Sequence, residues 1–201
     1  MIKNVIFDVG NVLIDFCDRD YMAGLGFSED AIDCLARKVV SNPLWNEYDR
    51  SALPRAEVEQ MLKNQVPEYP READLFFEKI VGIVRNRPYA KEWVHELRSR
   101  DYAVYLLSNY PKEIWELHER EIFDFTDELS GKVVSGFVHL IKPEEAIYRV
   151  LLDNYHLKPQ ECIFLDDRKE NVDMAISLGM KGIVFCSYEQ AKGELEEILK
   201  K

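Results

Sequence analysis

Six polar side chains scattered along the chain form a chemically coherent set: Asp8, Ser108, Asn109, Lys142, Asp166 and Asp167. Asp8 ends the apolar run Val5-Ile6-Phe7, and Ser108-Asn109 end Val104-Tyr105-Leu106-Leu107. Asp166-Asp167 end Cys162-Ile163-Phe164-Leu165, and Lys142 stands before Pro143 at the start of a helical pattern. Three carboxylates suit a hard cation such as Mg²⁺. A hydroxyl, an amide and an ammonium suit a phosphoryl group. One carboxylate can attack phosphorus and form an aspartyl-phosphate. Each group also has a plainer reading. Asp8 can simply terminate a strand, Ser108-Asn109 can form a turn or N-cap, and Asp166-Asp167 can favour a helix start. Two details weigh against the plainer readings. A lysine at a helix N-terminus is unfavourable without a local anion, and two adjacent carboxylates are costly without a cation.

The elements that must position these groups are strands alternating with helices, the pattern of a parallel sheet covered on both faces. Short apolar runs bounded by polar turns predict strands at Val5–Phe7, Val104–Leu107, Cys162–Leu165 and Gly182–Phe185, with Lys132–Val134 a weaker candidate. Helical stripes separate them: Trp93, Val94 and Leu97; Ile114, Trp115, His118 and Ile122; Ile147, Tyr148, Leu151, Leu152 and Tyr155; Val172, Ala175, Ile176 and Leu178. Gly179 is placed to end the last of these, and Leu195, Ile198 and Leu199 close the chain. In an open parallel sheet the carboxyl ends of the strands share one edge, where ligands bind. The six polar groups are therefore expected to meet there.

Residues 15–87 read differently, as an all-helical block without a convincing strand. Ser28 is an N-cap candidate ahead of Ile32, Leu35, Ala36, Val39 and Val40. A second helix starts at Pro54 and carries Val58, Met61 and Leu62. A third carries Phe76, Phe77, Ile80, Val81 and Val84 before Pro88 marks the return.

These residues resemble a known family. Phe7-Asp8-Val9-Gly10-Asn11-Val12-Leu13 is similar to the first motif of the haloacid dehalogenase superfamily, Leu106-Leu107-Ser108-Asn109 to the second, Lys142-Pro143 to the third, and Phe164-Leu165-Asp166-Asp167 with Asn171 to the fourth. Four motifs in order are far more specific than one. Their wording is closest to the subgroup containing glucose-1-phosphate phosphatase-like enzymes and the phosphatase domain of soluble epoxide hydrolases. The resemblance implies an α/β fold: a Rossmann-like core with a parallel central sheet from residues 1–14 and 88–201, and an inserted all-helical C1 cap from 15–87. It implies a Mg²⁺-dependent phosphatase acting on a small phosphorylated metabolite, sugar phosphates among the candidates. Asp8 is then nucleophile and metal ligand. The Gly10 carbonyl and Asp167 are further ligands, with Asp166 a ligand or an outer partner. Ser108 holds the phosphoryl oxygens with help from Asn109, Lys142 neutralises charge, and Asn171 braces the acid pair.

One residue departs from the pattern. Most phosphatases of the family carry Asp two positions after the nucleophile as general acid and base, and this chain has Gly10. Losing such a group costs about 10²–10⁴-fold in rate. Water, a cap residue or Asp15 is expected to take over, or the substrate has a good leaving group. Two other functions compete: a metal-independent 2-haloacid dehalogenase, which has no use for Asp166-Asp167, and a weakened protein that only binds a phospho-ligand. Trp45, Tyr48 and Arg50 lie in an aromatic, polar stretch of the insertion, where Trp45 is expected to pack in the core and Arg50 to sit in a solvated turn.

Composition narrows the partners. A net charge of −11 with no Lys/Arg block disfavours nucleic acid and anionic membranes. An anionic substrate therefore needs a site that reverses the field locally. No segment reaches the ~20 apolar residues of a membrane span. The opening run is too short for a secretory signal, and four cysteines form no CxxC pair, so a reducing cytoplasm is expected. Cys162 and Cys186 are expected in the core, and the four histidines show no metal-binding spacing. The oligomeric state is left open.

Overall fold

Period-two alternation divides the strand residues between two cores. The computed structural model describes residues 1–200. The chain runs β1 (Asn4–Phe7), β2 (Ile14–Phe16), α1 (Asp18–Gly24), α2 (Glu29–Leu35), α3 (Trp45–Arg50), α4 (Arg55–Lys63), α5 (Pro70–Glu78), β3 (Val84–Asn86), α6 (Ala90–Ser99), β4 (Ala103–Ser108), α7 (Lys112–Glu121), β5 (Gly131–Val134), α8 (Ser135–Val138), α9 (Glu145–Asn154), β6 (Cys162–Asp166), α10 (Lys169–Ser177), β7 (Lys181–Val184) and α11 (Tyr188–Leu199). Val5, Phe7, Val104, Leu106, Ile163 and Leu165 face one side with Trp93 and Val94 of α6 and Leu195 of α11. Ile6, Leu107 and Phe164 face the other with Ile147, Tyr148 and Leu151 of α9. Burial on both faces explains why these strands read as unbroken apolar runs.

The sheet has the order β5-β4-β1-β6-β7, and every pairing in it is parallel. Phe7 pairs with Leu106 on one side and Leu165 on the other. The next residues, Asp8 and Asp166, therefore leave the sheet side by side, with Ser108 at the end of the neighbouring strand. All five strands anticipated from the sequence are present. Gly179 ends α10 at φ +92°, and Ser28 Oγ accepts the Ala31 N–H at the start of α2. Among the described residues no helix is long and apolar enough to cross a membrane.

Helices α1–α5 sit between β1 and α6 in the chain, and their apolar interior is continuous with one sheet face. Met22, Leu35, Leu62, Phe76 and Phe77 belong to the same cluster as Phe7 and Trp93. Four expectations need correction. The insertion is not free of strands: β2 and β3 pair antiparallel through Ile14–Asn86, Asp15–Arg85 and Phe16–Val84. Val84 is thus a strand residue and not the end of a helix, because α5 stops at Glu78 and one tight turn, Ile80–Ile83, intervenes. Ile176 is 50% exposed, lying over Gly182 of the edge strand β7 instead of in a core. Cys186 is exposed because β7 ends at Val184 and Cys186 falls in the loop before α11, whereas Cys162 is buried as expected.

One hydroxyl joins the inserted helices to the sheet. Ser135, fully buried at the start of α8, accepts the Tyr110 N–H at 2.8 Å, and its Oγ lies 2.7 Å from the Asp49 carbonyl of α3, which accepts from it. The next residue, Gly136, passes so close to the chain after β4 that a Cβ would stand 2.3 Å from Lys112 N and 2.8 Å from Tyr110 O. Both neighbours are backbone and cannot swing away. Gly136→Ala is expected to destabilise the protein by about 1–3 kcal/mol, which lowers the thermal midpoint of a chain this size by about 3–10 °C. Calorimetry of the two proteins checks this; an unchanged midpoint would show that α8 can shift.

Candidate active site

Lys142 is the centre of the site. It is 2% exposed, and its Nζ lies 2.7 Å from Asp8 Oδ1 and 2.7 Å from Asp166 Oδ2. Its ammonium also lies over the Phe164 ring. The local anion expected beside this lysine is thus present twice. Burial pulls the ammonium down, but Asp166 and Asp8 outweigh it and raise it above its ordinary value. Asn109 fixes the lysine's backbone: its Oδ1 accepts the Lys142 N–H at 2.7 Å, and its Nδ2 donates to the Lys142 carbonyl at 3.0 Å. Both polar ends of the Asn109 side chain are therefore occupied by the loop that carries Lys142.

The three carboxylates come together. One oxygen of each of Asp8, Asp166 and Asp167 lies within 4.8 Å of the others. Their environments differ. Asp166 is fully buried and saturated with donors: Lys142 and Asn171 Nδ2 on Oδ2, Asn171 Nδ2 and the Arg168 N–H on Oδ1. Asp167 receives one hydrogen bond, from Asn11 Nδ2 at 3.0 Å. Burial, aided by Asp166, raises the Asp167 carboxyl above its ordinary value. Asp8 takes Val9 N–H and Lys142 on Oδ1, which leaves Oδ2 without a protein donor. Burial pushes the Asp8 carboxyl up to about 7; Lys142 opposes this, and Asp166 and Asp167 add to it.

Asn171 of α10 holds both oxygens of Asp166, the bracing that the resemblance implied for the loop of the acid pair. Asn11 takes a left-handed conformation, φ 56°, and shapes the loop after β1 while holding Asp167. Ser108 is fully buried, and its Oγ has no hydrogen-bond partner among the described residues. A buried hydroxyl left unpaired is costly, so this one is suited to a ligand atom. Gly10 carries an open flank: a Cβ there would meet nothing within 4 Å.

A cavity of about 340 Å³ opens above this floor. Asp8, Gly10, Asn109, Lys142 and Asp167 line its base. Phe16, Val40, Trp45, Ile80 and Ile83, all from the insertion and its ribbon, line its walls with Ile114 of α7. The two tyrosines beside them do not offer free hydroxyls. Tyr48 donates to Glu59 at 3.0 Å, and the Tyr110 hydroxyl is hydrogen-bonded to His118 Nδ1. Trp45 packs against Tyr48 and Phe76, as expected of it. Arg50 is not in a solvated turn. It pairs with Glu144 at 2.7 Å and donates to the His139 carbonyl at 3.3 Å, because the loop of Lys142 lies against α3. Asp15 does not reach the cavity wall; it pairs with Arg87 at 2.8 Å across the β2–β3 ribbon.

Asp49 of α3 and Arg168 line the same cavity and were not singled out from the sequence. The Asp49 carboxylate is half-buried and makes no hydrogen bond or ion pair among the described residues. Burial pushes it up to about 8, with Asp8 adding and Lys142 and Arg168 opposing. The available signal was its place in the Trp45–Arg50 stretch, one residue after a tyrosine already in view.

A model of haloacid dehalogenase-like hydrolases matches residues 2–179. The chain belongs to that family. The hydrolase is 25% identical to the D-ribitol-5-phosphate phosphatase of Bacteroides thetaiotaomicron, with 90% of each chain covered. It is 25% identical to a sesquiterpene phosphatase of Aspergillus oryzae over 72% of this chain and 74% of the relative. A drimenol cyclase of Aspergillus calidoustus matches 98% of the chain at 25% identity, but the chain spans only 37% of that relative's length. Among solved structures, a haloacid dehalogenase family enzyme of Bacteroides thetaiotaomicron in complex with magnesium and inorganic phosphate superposes with a TM-score of 0.73, at 20% identity over 95% of this chain and 99% of that one.

The donor set of the hydrolase fits a divalent cation. Three carboxylates face one ammonium, so the buried cluster holds surplus negative charge when ionised. The sign of the resulting pH effect follows from Asp8. Its carboxyl rises from 3.8 to about 7 on folding, so its contribution to metal-free stability is complete below about pH 4 and is lost as pH rises through 7. The metal-free thermal midpoint is therefore expected to fall between about pH 5 and 8. Asp8→Asn is expected to melt higher than the unaltered protein in EDTA at about pH 8. Mg²⁺ at a hundred times its Kd adds about 2.7 kcal/mol, or about 5–10 °C, to the unaltered protein and much less to the variant. Thermal shift with and without Mg²⁺ measures both, and equal Mg²⁺ shifts would remove Asp8 from the metal site.

Proposed function

We propose that this hydrolase is a Mg²⁺-dependent phosphatase that transfers the phosphoryl group of a small, apolar phosphate ester to Asp8. The observation that carries the reading is Lys142 held between Asp8 and Asp166, with Asp167 completing the carboxylate trio and the Ser108 hydroxyl unpaired beside them. Asp8, the Gly10 carbonyl and Asp167 would hold the cation. Asp166 acts from behind, since its oxygens are already filled by Lys142, Asn171 and the Arg168 N–H. When bound, Mg²⁺ aligns a phosphoryl group with the nucleophile and offsets its charge.

The chain's own residues account for the rest. Val9 N–H and Lys142 fix Asp8 by one oxygen and leave the other free to attack phosphorus. Lys142 offsets the negative charge of the entering phosphoryl group, and Ser108 donates to one of its oxygens. Water then cleaves the aspartyl-phosphate and restores Asp8. Asn109 serves through the backbone of Lys142 instead of reaching the substrate with its amide. The same trio argues against a dehalogenase: a substrate carboxylate would enter beside surplus negative charge. The Asp8, Lys142 and Asp167 arrangement likewise argues against a protein that has lost its chemistry.

The wall of the cavity supports an apolar alcohol over a sugar. Phe16, Trp45, Ile80 and Ile83 offer carbon surface, and the Tyr48 and Tyr110 hydroxyls are engaged elsewhere. Each sugar hydroxyl left unpaired there costs about 1–3 kcal/mol, while each buried CH₂ contributes about 0.8 kcal/mol. A branched five-carbon alkyl monophosphate is therefore expected to exceed a hexose phosphate in kcat/KM by at least about tenfold. Phosphate release across a panel of both kinds, with and without EDTA, tests this. EDTA and Asp8→Asn are each expected to abolish turnover. Preference for the sugar phosphate overturns the apolar assignment alone. Release that survives in EDTA, or no release from any ester, overturns the phosphatase reading.

A further inference from the structure

Breaking the P–O bond of an alkyl phosphate leaves an alkoxide, which must receive a proton. Gly10 supplies no side chain for this. The other groups around the cavity are committed. Lys142 is held between Asp8 and Asp166, Asp167 is bound by Asn11, and Asp15 pairs with Arg87 away from the cavity. The Tyr48 and Tyr110 hydroxyls are engaged with Glu59 and His118. Asp49 differs from all of these. It lines the cavity from α3, and its carboxylate has no partner among the described residues. Its backbone is nevertheless fixed, since the Asp49 carbonyl accepts from the buried Ser135 hydroxyl at 2.7 Å. A Cβ at Gly10 would meet nothing within 4 Å, so no neighbouring group fills the space a side chain would take there.

We propose that Asp49 is the general acid and base of this hydrolase, donated by the inserted helices in place of the side chain absent at position 10. The assignment rests on the phosphatase reading above. In the first half-reaction an Asp8 oxygen bonds to phosphorus, the ester P–O bond breaks, and the Asp49 proton passes to the departing oxygen, giving the free alcohol. In the second, Asp49 as carboxylate takes a proton from water as the water oxygen bonds to phosphorus. The Asp8–phosphorus bond breaks, inorganic phosphate leaves, and Asp49 is again protonated. Its placement makes proton transfer depend on the docking of α3 over the sheet edge.

The test compares Asp49→Asn with the unaltered chain, both with Mg²⁺, on an alkyl monophosphate and on p-nitrophenyl phosphate, whose leaving group departs without a proton. kcat/KM reports steps up to alcohol departure, and it is expected to fall about 10²–10³-fold for the alkyl ester and less than about tenfold for the nitrophenyl ester. Rapid mixing of the variant with the nitrophenyl ester is expected to show a burst of nitrophenol equal to the enzyme, then slow turnover, because water activation also suffers. Thermal midpoints confirm that the variant is folded. Equal losses on both esters in a folded variant, or an undiminished alkyl rate, overturn the assignment of Asp49 alone. Absence of turnover by the unaltered chain overturns the phosphatase reading, and this assignment with it.

Discussion

An ammonium buried to 2% exposure organises everything at the carboxyl edge of this sheet. Lys142 cannot stay charged there without anions, and Asp8 and Asp166 cannot stay close without a cation between them. The three are mutually required, and each is anchored by a different part of the fold: Asp8 by β1, Asp166 by β6, and Lys142 by the loop ahead of α9. The remaining polar contacts serve this triangle. Asn109 clamps the lysine's backbone, Asn171 spans both oxygens of Asp166, and Asn11 holds Asp167 beside it. Parallel pairing of β1 with β4 and β6 brings Asp8, Ser108 and Asp166 to one edge without any local sequence relation among them. The ordered strands are thus the cause of the site.

The division of labour between sheet and insertion follows. Fixed charges come from the sheet edge, where strands buried on both faces tolerate little movement. The apolar wall comes from Phe16 of β2, Val40, Trp45 of α3, Ile80 and Ile83 of the turn before β3, and Ile114 of α7. The 340 Å³ cavity is lined both by the polar groups of the sheet edge and by apolar side chains of the insertion. Such a layout separates recognition of the reacting group from recognition of what it is attached to. Asp49 is the exception, a carboxylate brought by a helix that otherwise contributes Trp45 and Tyr48.

Much of this was legible in the residues alone, and the reasons are specific. A polar residue that stops a run such as Val5-Ile6-Phe7 announces the carboxyl end of a buried strand, so Asp8, Ser108 and Asp166 could be placed before any coordinates. Lys142 was legible because a lysine read at a helix start calls for an anion; the anions are there, although α9 itself begins only at Glu145. The β2–β3 ribbon was not, because each strand has three residues and its partner lies far along the chain. Nothing periodic exists in three residues. The clamp by Asn109 was also hidden, since the partner of a side-chain amide is decided by tertiary approach. Asp49 lies in a short helix whose polar residues read as surface, and only the seating of α3 turns it inward. Cys186 and Ile176 misled for a related reason: apolar character was read as burial, yet both lie at the sheet's β7 margin, where the covering layer ends.

The contacts around α3 also decide how a ligand can get in. The inserted helices leave and rejoin the sheet domain through a single paired ribbon, β2 with β3. Away from it, they are fastened by Ser135 to the Asp49 carbonyl, by Arg50 to Glu144, and by the Lys112 N–H to Ser51 Oγ. A swing about the ribbon must undo these polar bonds and also part the apolar cluster that the insertion shares with one face of the sheet. Ionic strength weakens the Arg50–Glu144 pair, the one ion pair among these three fastenings. The fastening that seats Asp49 at the cavity is thus the same one that ties the insertion to the sheet edge.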